Sequence, residues 1–149
     1  MKTESLVLEM LHKKFKKDIV RITNVYYFKG WESDFLVFDK NKIHEYEIKL
    51  SKNDFYQDKY KVEKHEALQK GEGPNTFTYV TTADVPIEIV PAVAGLIHWS
   101  DAGLKTIRVA NLLHHKPTGV YGNEKLFDLL YVNWRRATEK LNKIEIDKL

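Results

Sequence analysis

The first apolar pattern along the chain has a period close to four. Val7, Leu11 and Phe15 recur at that spacing with Leu6 and Met10 beside them, which predicts an amphipathic helix over residues 4–15. The pattern then changes to that of strands. Ile22 to Phe28 is rich in β-branched and aromatic residues, and Lys29-Gly30 suits a turn. Asp34 to Asp39 (DFLVFD) is a nearly continuous apolar run, as expected of a strand covered on both faces. A short connection at Lys40-Asn41-Lys42 leads into Ile43 to Leu50 (IHEYEIKL), which alternates strictly. A three-stranded meander therefore follows the first helix.

Ser51 with Asp54 three residues later has the spacing of a capping box, and predicts a second helix from about Asp54 to Lys70. Gly71-Glu72-Gly73-Pro74 ends it. Thr76 to Thr81 reads as a fourth strand, and 84–94, with two prolines, as a crossing loop. Gly95 to Trp99 and Thr106 to Ala110 read as two more strands. Asn123 suits the cap of a last helix, about 122–143, whose Leu126, Leu130, Trp134, Ala137 and Leu141 predict a core-facing stripe. The order α-β-β-β-α-β, then a β-rich piece and a closing helix, implies one α/β (α+β) domain over 1–149, with a mixed sheet flanked by helices.

Composition narrows the function classes. The 149 residues contain no cysteine, which excludes disulfides, zinc-thiolate sites and thiol nucleophiles and fits a cytoplasmic setting. The N-terminus lacks the apolar core of a signal peptide, and no stretch approaches a membrane span, so a soluble protein without a membrane partner is expected. A net charge of +3 is mild. Lysines cluster, however, at 13, 14, 16 and 17 and again at 59, 61 and 64, and a third basic group is His114, His115 and Lys116. Each suits either a solvated face or a polyanionic partner.

The chemistry centres on Glu47-Ile48-Lys49. With 21 acidic residues in the chain, roughly three acid-x-Lys triplets arise by chance, so existence alone carries little weight. This is the single one present, and it closes a strand directly before a capped helix. Side chains two apart on a strand share a face, so Glu47 and Lys49 project together. An antiparallel hairpin turning near Asn41 pairs Asp34 approximately with Lys49, which gathers two carboxylates and a lysine at one end of the sheet. Such a patch makes poor core packing unless it binds something. Two carboxylates suit Mg²⁺, with the backbone carbonyl of Ile48 as a further protein ligand and Mn²⁺ as a substitute.

These residues resemble the PD-(D/E)XK nuclease superfamily. Its Asp corresponds to Asp34, and its acid-x-Lys triplet to Glu47-Ile48-Lys49; Ser33 stands where the motif has proline. The run EIKLSKNDFYQDKYKVEKH is also similar to a small single-domain branch, through Ser51, Asp54, Phe55, Asp58, Lys64 and His65. PNTFTYV and VPAVAGLI look like the downstream strands of that branch, so the likeness covers about residues 4–115. It implies a restriction-endonuclease-like core and Mg²⁺-dependent hydrolysis of DNA phosphodiester bonds. Asp34 and Glu47 would then hold the metal and Lys49 assist the attacking water. A homodimer is also compatible with the resemblance.

Several residues keep two readings. Glu9, on the first helix, is either a solvated acid or an extra metal ligand. Glu45 shares a face with Glu47 and is read as an exposed strand residue rather than a ligand of a second metal. Lys59, Lys64 and His65 fall on the second helix, where they either touch nucleic acid or support the site; Asp58, Val62 and His65 should lie along one side of it. Arg135 and Arg136 decorate the last helix or contact nucleic acid. Two competing functions remain open: a non-catalytic nucleic-acid-binding module, and an accessory subunit whose charged patch is a cluster of ion pairs.

Overall fold

In the computed structural model, residues 2–17, 20–28, 31–39, 42–58, 61–71, 73–115 and 122–147 are described. The predicted turns at Lys29-Gly30 and Lys40-Asn41, as well as Lys59 and Lys116, lie outside them. The elements are α1 (Lys2–Lys14), β1 (Val20–Phe28), β2 (Trp31–Asp39), β3 (Lys42–Ile48), α2 (Lys52–Tyr56), α3 (Lys61–Gln69), β4 (Thr76–Thr81), β5 (Gly95–Ser100), β6 (Gly103–Arg108) and α4 (Gly122–Asp147). A single 3-10 turn, Ile87–Ile89, lies in the predicted crossing loop. Six strands form one mixed sheet in the order β1-β2-β3-β4-β5-β6. β3, β4 and β5 run parallel, while β1, β2 and β6 complete it antiparallel. The α+β class and the mixed sheet with helices agree with the apolar patterning.

Alternation along the strands divides the core into two layers. Val7 and Leu11 of α1 cover Phe35, Val37, Ile48, Val80 and Ile97 on one face. On the other, Phe55, Ala67 and Leu68 of α2 and α3 cover Leu36, Ile43, Phe77, Tyr79 and Leu96. Full burial of each such side chain contributes about 1.5–3 kcal/mol. Phe35, Leu36 and Val37 are all buried, as a strand covered on both faces requires.

Two expectations are corrected. The second helix is not continuous: α2 ends at Tyr56, the Gln57 amide bonding the Asn53 carbonyl, and α3 begins at Lys61. The break carries Asp58 off the helix axis and into contact with Lys49, and leaves Val62 70% exposed instead of aligned with it. The second correction concerns α4. Trp134 and Leu141 are 61% and 62% exposed, and Ala137 is exposed as well. The helix meets the sheet along β1, and these three stripe positions do not face the core; the side chains of Leu126 and Leu130 lie outside the described residues. Among the described residues, no helix is long and apolar enough to cross a membrane.

Candidate functional site

The site lies where β2 and β3 part. Their ladder pairs Asp39 with Lys42 and runs to Phe35 opposite Tyr46. One residue further along that register, Asp34 falls beside Glu47, two residues from the sequence-based pairing with Lys49. Lys42, read from the sequence as part of the connection, already belongs to β3. Beyond Phe35, side chains take over the pairing. The Ile48 amide donates to Asp34 Oδ2 at 2.8 Å, and the Ser33 hydroxyl donates to Glu45 Oε1. Asp34 thus supplies the acceptor that a neighbouring strand carbonyl would otherwise provide.

Lys49 is held from several directions. Its amide donates to the Val80 carbonyl at 2.9 Å, and its carbonyl accepts from Trp99 Nε1 at 3.0 Å. Its ammonium lies 3.9 Å from Glu47 Oε2 and 3.4 Å from Asp58 Oδ2. Immediately afterwards Ser51 caps α2 by accepting from the Asp54 amide at 3.0 Å. The short Asp54 carboxylate reaches back to the Leu50 amide, as a capping box with a shortened acid does. The cap therefore fixes the chain right after the lysine.

Behind this front lies a buried ionic layer. Lys64, from α3, sits 2.9 Å from Glu45 Oε2 and 3.3 Å from Glu47 Oε1, with its ammonium 4.6 Å from the centre of the Phe77 ring. Glu45, 1% exposed, is not the solvated strand residue its sequence position suggested. Burial alone would make it costly, and the lysine together with the Ser33 hydroxyl offsets that cost. Lys64 and His65 both point inward and support the site: His65 Nε2 lies 2.8 Å from the Tyr79 hydroxyl. Tyr79 is pushed well above the ordinary tyrosine range by burial and then by Glu47, Asp58 and Glu45.

Burial dominates the electrostatics, and neighbouring acids add to it. Burial, with Glu47, Glu4 and Glu45 nearby, raises the Asp34 pKa from 3.8 to about 7 against the opposing Ile48 hydrogen bond. Glu47 is also raised, first by burial, while Lys64 and Lys49 pull it down. Glu47 Oε2 is buried and accepts no hydrogen bond.

Glu4, missed in the sequence, is the α1 acid whose negative charge acts on Asp34. Glu9 instead points outward, 64% exposed and 3.6 Å from Lys13. Helix phase was the available signal, since Glu4 lies three residues before Val7 and four before Leu8. Asp58, weighed only as a helix residue, is the direct partner of Lys49. His114 is not a free phosphate contact: its Nε2 lies 2.9 Å from the Gly73 carbonyl and its own carbonyl accepts from Asn75. His115, Arg135 and Arg136 are exposed. Among the described residues, no group of three His, Asp or Glu side chains is arranged to hold a metal ion.

No protein-family model matches the sequence, and no curated protein matches it. Among solved structures, the fold is similar to that of SPO1766, a protein of unknown function from Silicibacter pomeroyi. The TM-score is 0.67, the match covers 95% of this chain and 90% of that one, and 16% of residues are identical. That likeness speaks to the fold alone.

Proposed function

We propose that the chain is a divalent-metal-dependent nuclease that hydrolyses DNA phosphodiester bonds, with a restriction-endonuclease-like core of the PD-(D/E)XK type. The observation carrying this reading is the buried Glu47 Oε2, which accepts no hydrogen bond beside an Asp34 of raised pKa. Acids at this end of the sheet (Glu4, Asp34, Glu45, Glu47, Asp58) outnumber the lysines Lys49 and Lys64. A hard cation would relieve that imbalance. Mg²⁺ takes oxygen ligands and keeps several waters, so two carboxylates and one backbone carbonyl form a sufficient protein share. The donor set therefore fits Mg²⁺ or Mn²⁺, held by Asp34, Glu47 and the Ile48 carbonyl.

Bound there, such a cation supplies Lewis acidity toward a phosphodiester oxygen and toward water. The chain's own residues do the rest. Lys49, fixed by its backbone bonds and by Asp58, presents positive charge to the attacking water and to the charge that builds on phosphorus oxygens. Lys64 fixes one oxygen of Glu47, and the other accepts no hydrogen bond, with the Lys49 ammonium 3.9 Å away. Glu4 adds negative charge from α1. Exposed lysines at the far end of α1, about 14 Å along its axis from Glu4, suit the phosphate backbone of a bound strand.

The test is incubation of the purified protein with labelled single-stranded, duplex, flapped and branched DNA in Mg²⁺, Mn²⁺ or EDTA, alongside Asp34→Ala. Metal-dependent cleavage lost in the variant supports the nuclease. Binding without cleavage of any substrate would replace it with the non-catalytic module.

A further inference from the structure

A second concavity lies away from these carboxylates. It encloses about 480 Å³ on the α1 side of the sheet, within the range of small-molecule sites. His44 and Thr76, near the starts of β3 and β4, line it, whereas Glu47 lies three residues later, next to the end of β3. That separation is about 10 Å of strand, and alternation sets the two on opposite faces.

α1 stops at Lys14, which lines the cavity together with Phe15. An ordinary core would place aliphatic side chains there. Instead three threonines, Thr76, Thr78 and Thr106, line it. Thr78 is kept in place by the absence of a side chain at Gly95: a Cβ there would lie 2.6 Å from Thr78 Oγ1 and 2.9 Å from the Ala110 amide nitrogen. The missing atom also lets the wall at Val109, Ala110 and Leu112 close in.

The other groups select a ligand type. Phe15 and Tyr46 form an aromatic corner, their ring centres 4.9 Å apart. Lys14 stands at the rim, next to the exposed Lys13, Lys16 and Lys17. Arg108 is a fixed positive charge, its guanidinium bonded to the carbonyls of Ala94 and Pro91 at 2.8 and 2.6 Å. His44 Nδ1 lies 2.6 Å from the Thr76 hydroxyl. Asp39 is the one acid among the lining residues.

From aromatic corner, threonine lining and cationic rim together, we infer that this cavity binds a mononucleotide unit. Its planar base packs on Phe15 and Tyr46 and hydrogen-bonds to the threonines, and its phosphate meets Lys14. The same unit occurs as a free nucleotide and as the 5′-phosphorylated end of a strand, and charge complementarity with the rim holds for both.

Titration of the full chain in EDTA, which withholds divalent cations from the carboxylate site, tests the inference. The probes are dAMP, dTMP, thymidine, inorganic phosphate and a 5′-phosphorylated trinucleotide, followed by saturation-transfer NMR and calorimetry. The mononucleotides should bind saturably. Thr78→Val should weaken them about fivefold, the loss of one hydrogen bond, and Lys14→Ala should weaken dTMP but not thymidine. Circular dichroism confirms that both variants fold. Tighter binding of the trinucleotide assigns the site to strand ends, and tighter binding of dAMP or dTMP assigns it to free nucleotides. No saturable binding at millimolar concentrations overturns the inference. So does binding that both variants leave unchanged, or inorganic phosphate binding as tightly as dTMP.

Discussion

Lys64 Nζ lies 2.9 Å from Glu45 Oε2, and the two side chains are only 5% and 1% exposed. Removing one partner of such a pair strands the other charge, at a cost of about 3–5 kcal/mol, whereas replacing both is often near neutral. Lys64→Met leaves Glu45 uncompensated and Glu47 with Lys49 alone, and should lose several kcal/mol in urea denaturation. Adding Glu45→Gln should recover a large part of that loss. Simple additivity of the two changes would show that the pair is not coupled.

Asp34 gives a pH dependence of definite sign. Its pKa of about 7 in the folded chain exceeds the ordinary 3.8, so the folded state retains a proton that the unfolded state releases between those values. The contribution to stability is complete below about pH 4, falls as pH rises toward 7 and levels off above it. Each tenfold change in proton affinity is about 1.4 kcal/mol, so the wild type should lose up to about 4 kcal/mol in EDTA relative to Asp34→Asn. The two proteins should melt alike near pH 4 and diverge by pH 8, with the variant more stable. Parallel melting curves across that range would remove burial of Asp34 as the cause.

A saturating divalent cation should narrow that gap. Binding to the folded state alone stabilises by about 2.7 kcal/mol at a hundredfold excess over Kd. Mn²⁺ should therefore raise the wild-type melting temperature and leave Glu47→Gln and Asp34→Asn unmoved. An equal rise in all three would place the ion elsewhere.

Much of this arrangement was legible in the chain because it obeys local rules. Val7, Leu11 and Phe15 mark the buried face of α1, and Ser51 marks the start of α2. The alternation of β3 puts Glu45, Glu47 and Lys49 on one face. What alternation cannot supply is the cover: Glu45 looked exposed because nothing local announces that α3 brings Lys64 over it. The break between α2 and α3 has no proline or glycine to signal it, and goes with the contact between Asp58 and Lys49. The stripe on α4 shows only that the helix is amphipathic. Its core-facing placement is a tertiary assumption that exposure contradicts at Trp134, Ala137 and Leu141. Trp134→Ala should accordingly change the unfolding free energy by less than about 0.5 kcal/mol, and a loss of several kcal/mol would mean the tryptophan packs in solution.

Lys49→Ala separates chemistry from folding. The side chain is 11% exposed and lies against Glu47 and Asp58, so its removal costs stability as well as, on the proposed nuclease reading, positive charge at the phosphate. In EDTA the variant should unfold at lower urea than the wild type, and Lys49→Ala/Asp58→Asn should recover part of the difference. Neither variant should cleave DNA in Mg²⁺, although both should retain most of their DNA affinity, which rests on other lysines and falls with salt at about 0.9 logarithmic units per neutralised phosphate. Cleavage at the wild-type rate by folded Lys49→Ala would take the lysine out of the mechanism. Loss of DNA affinity in step with cleavage would make it a binding residue instead.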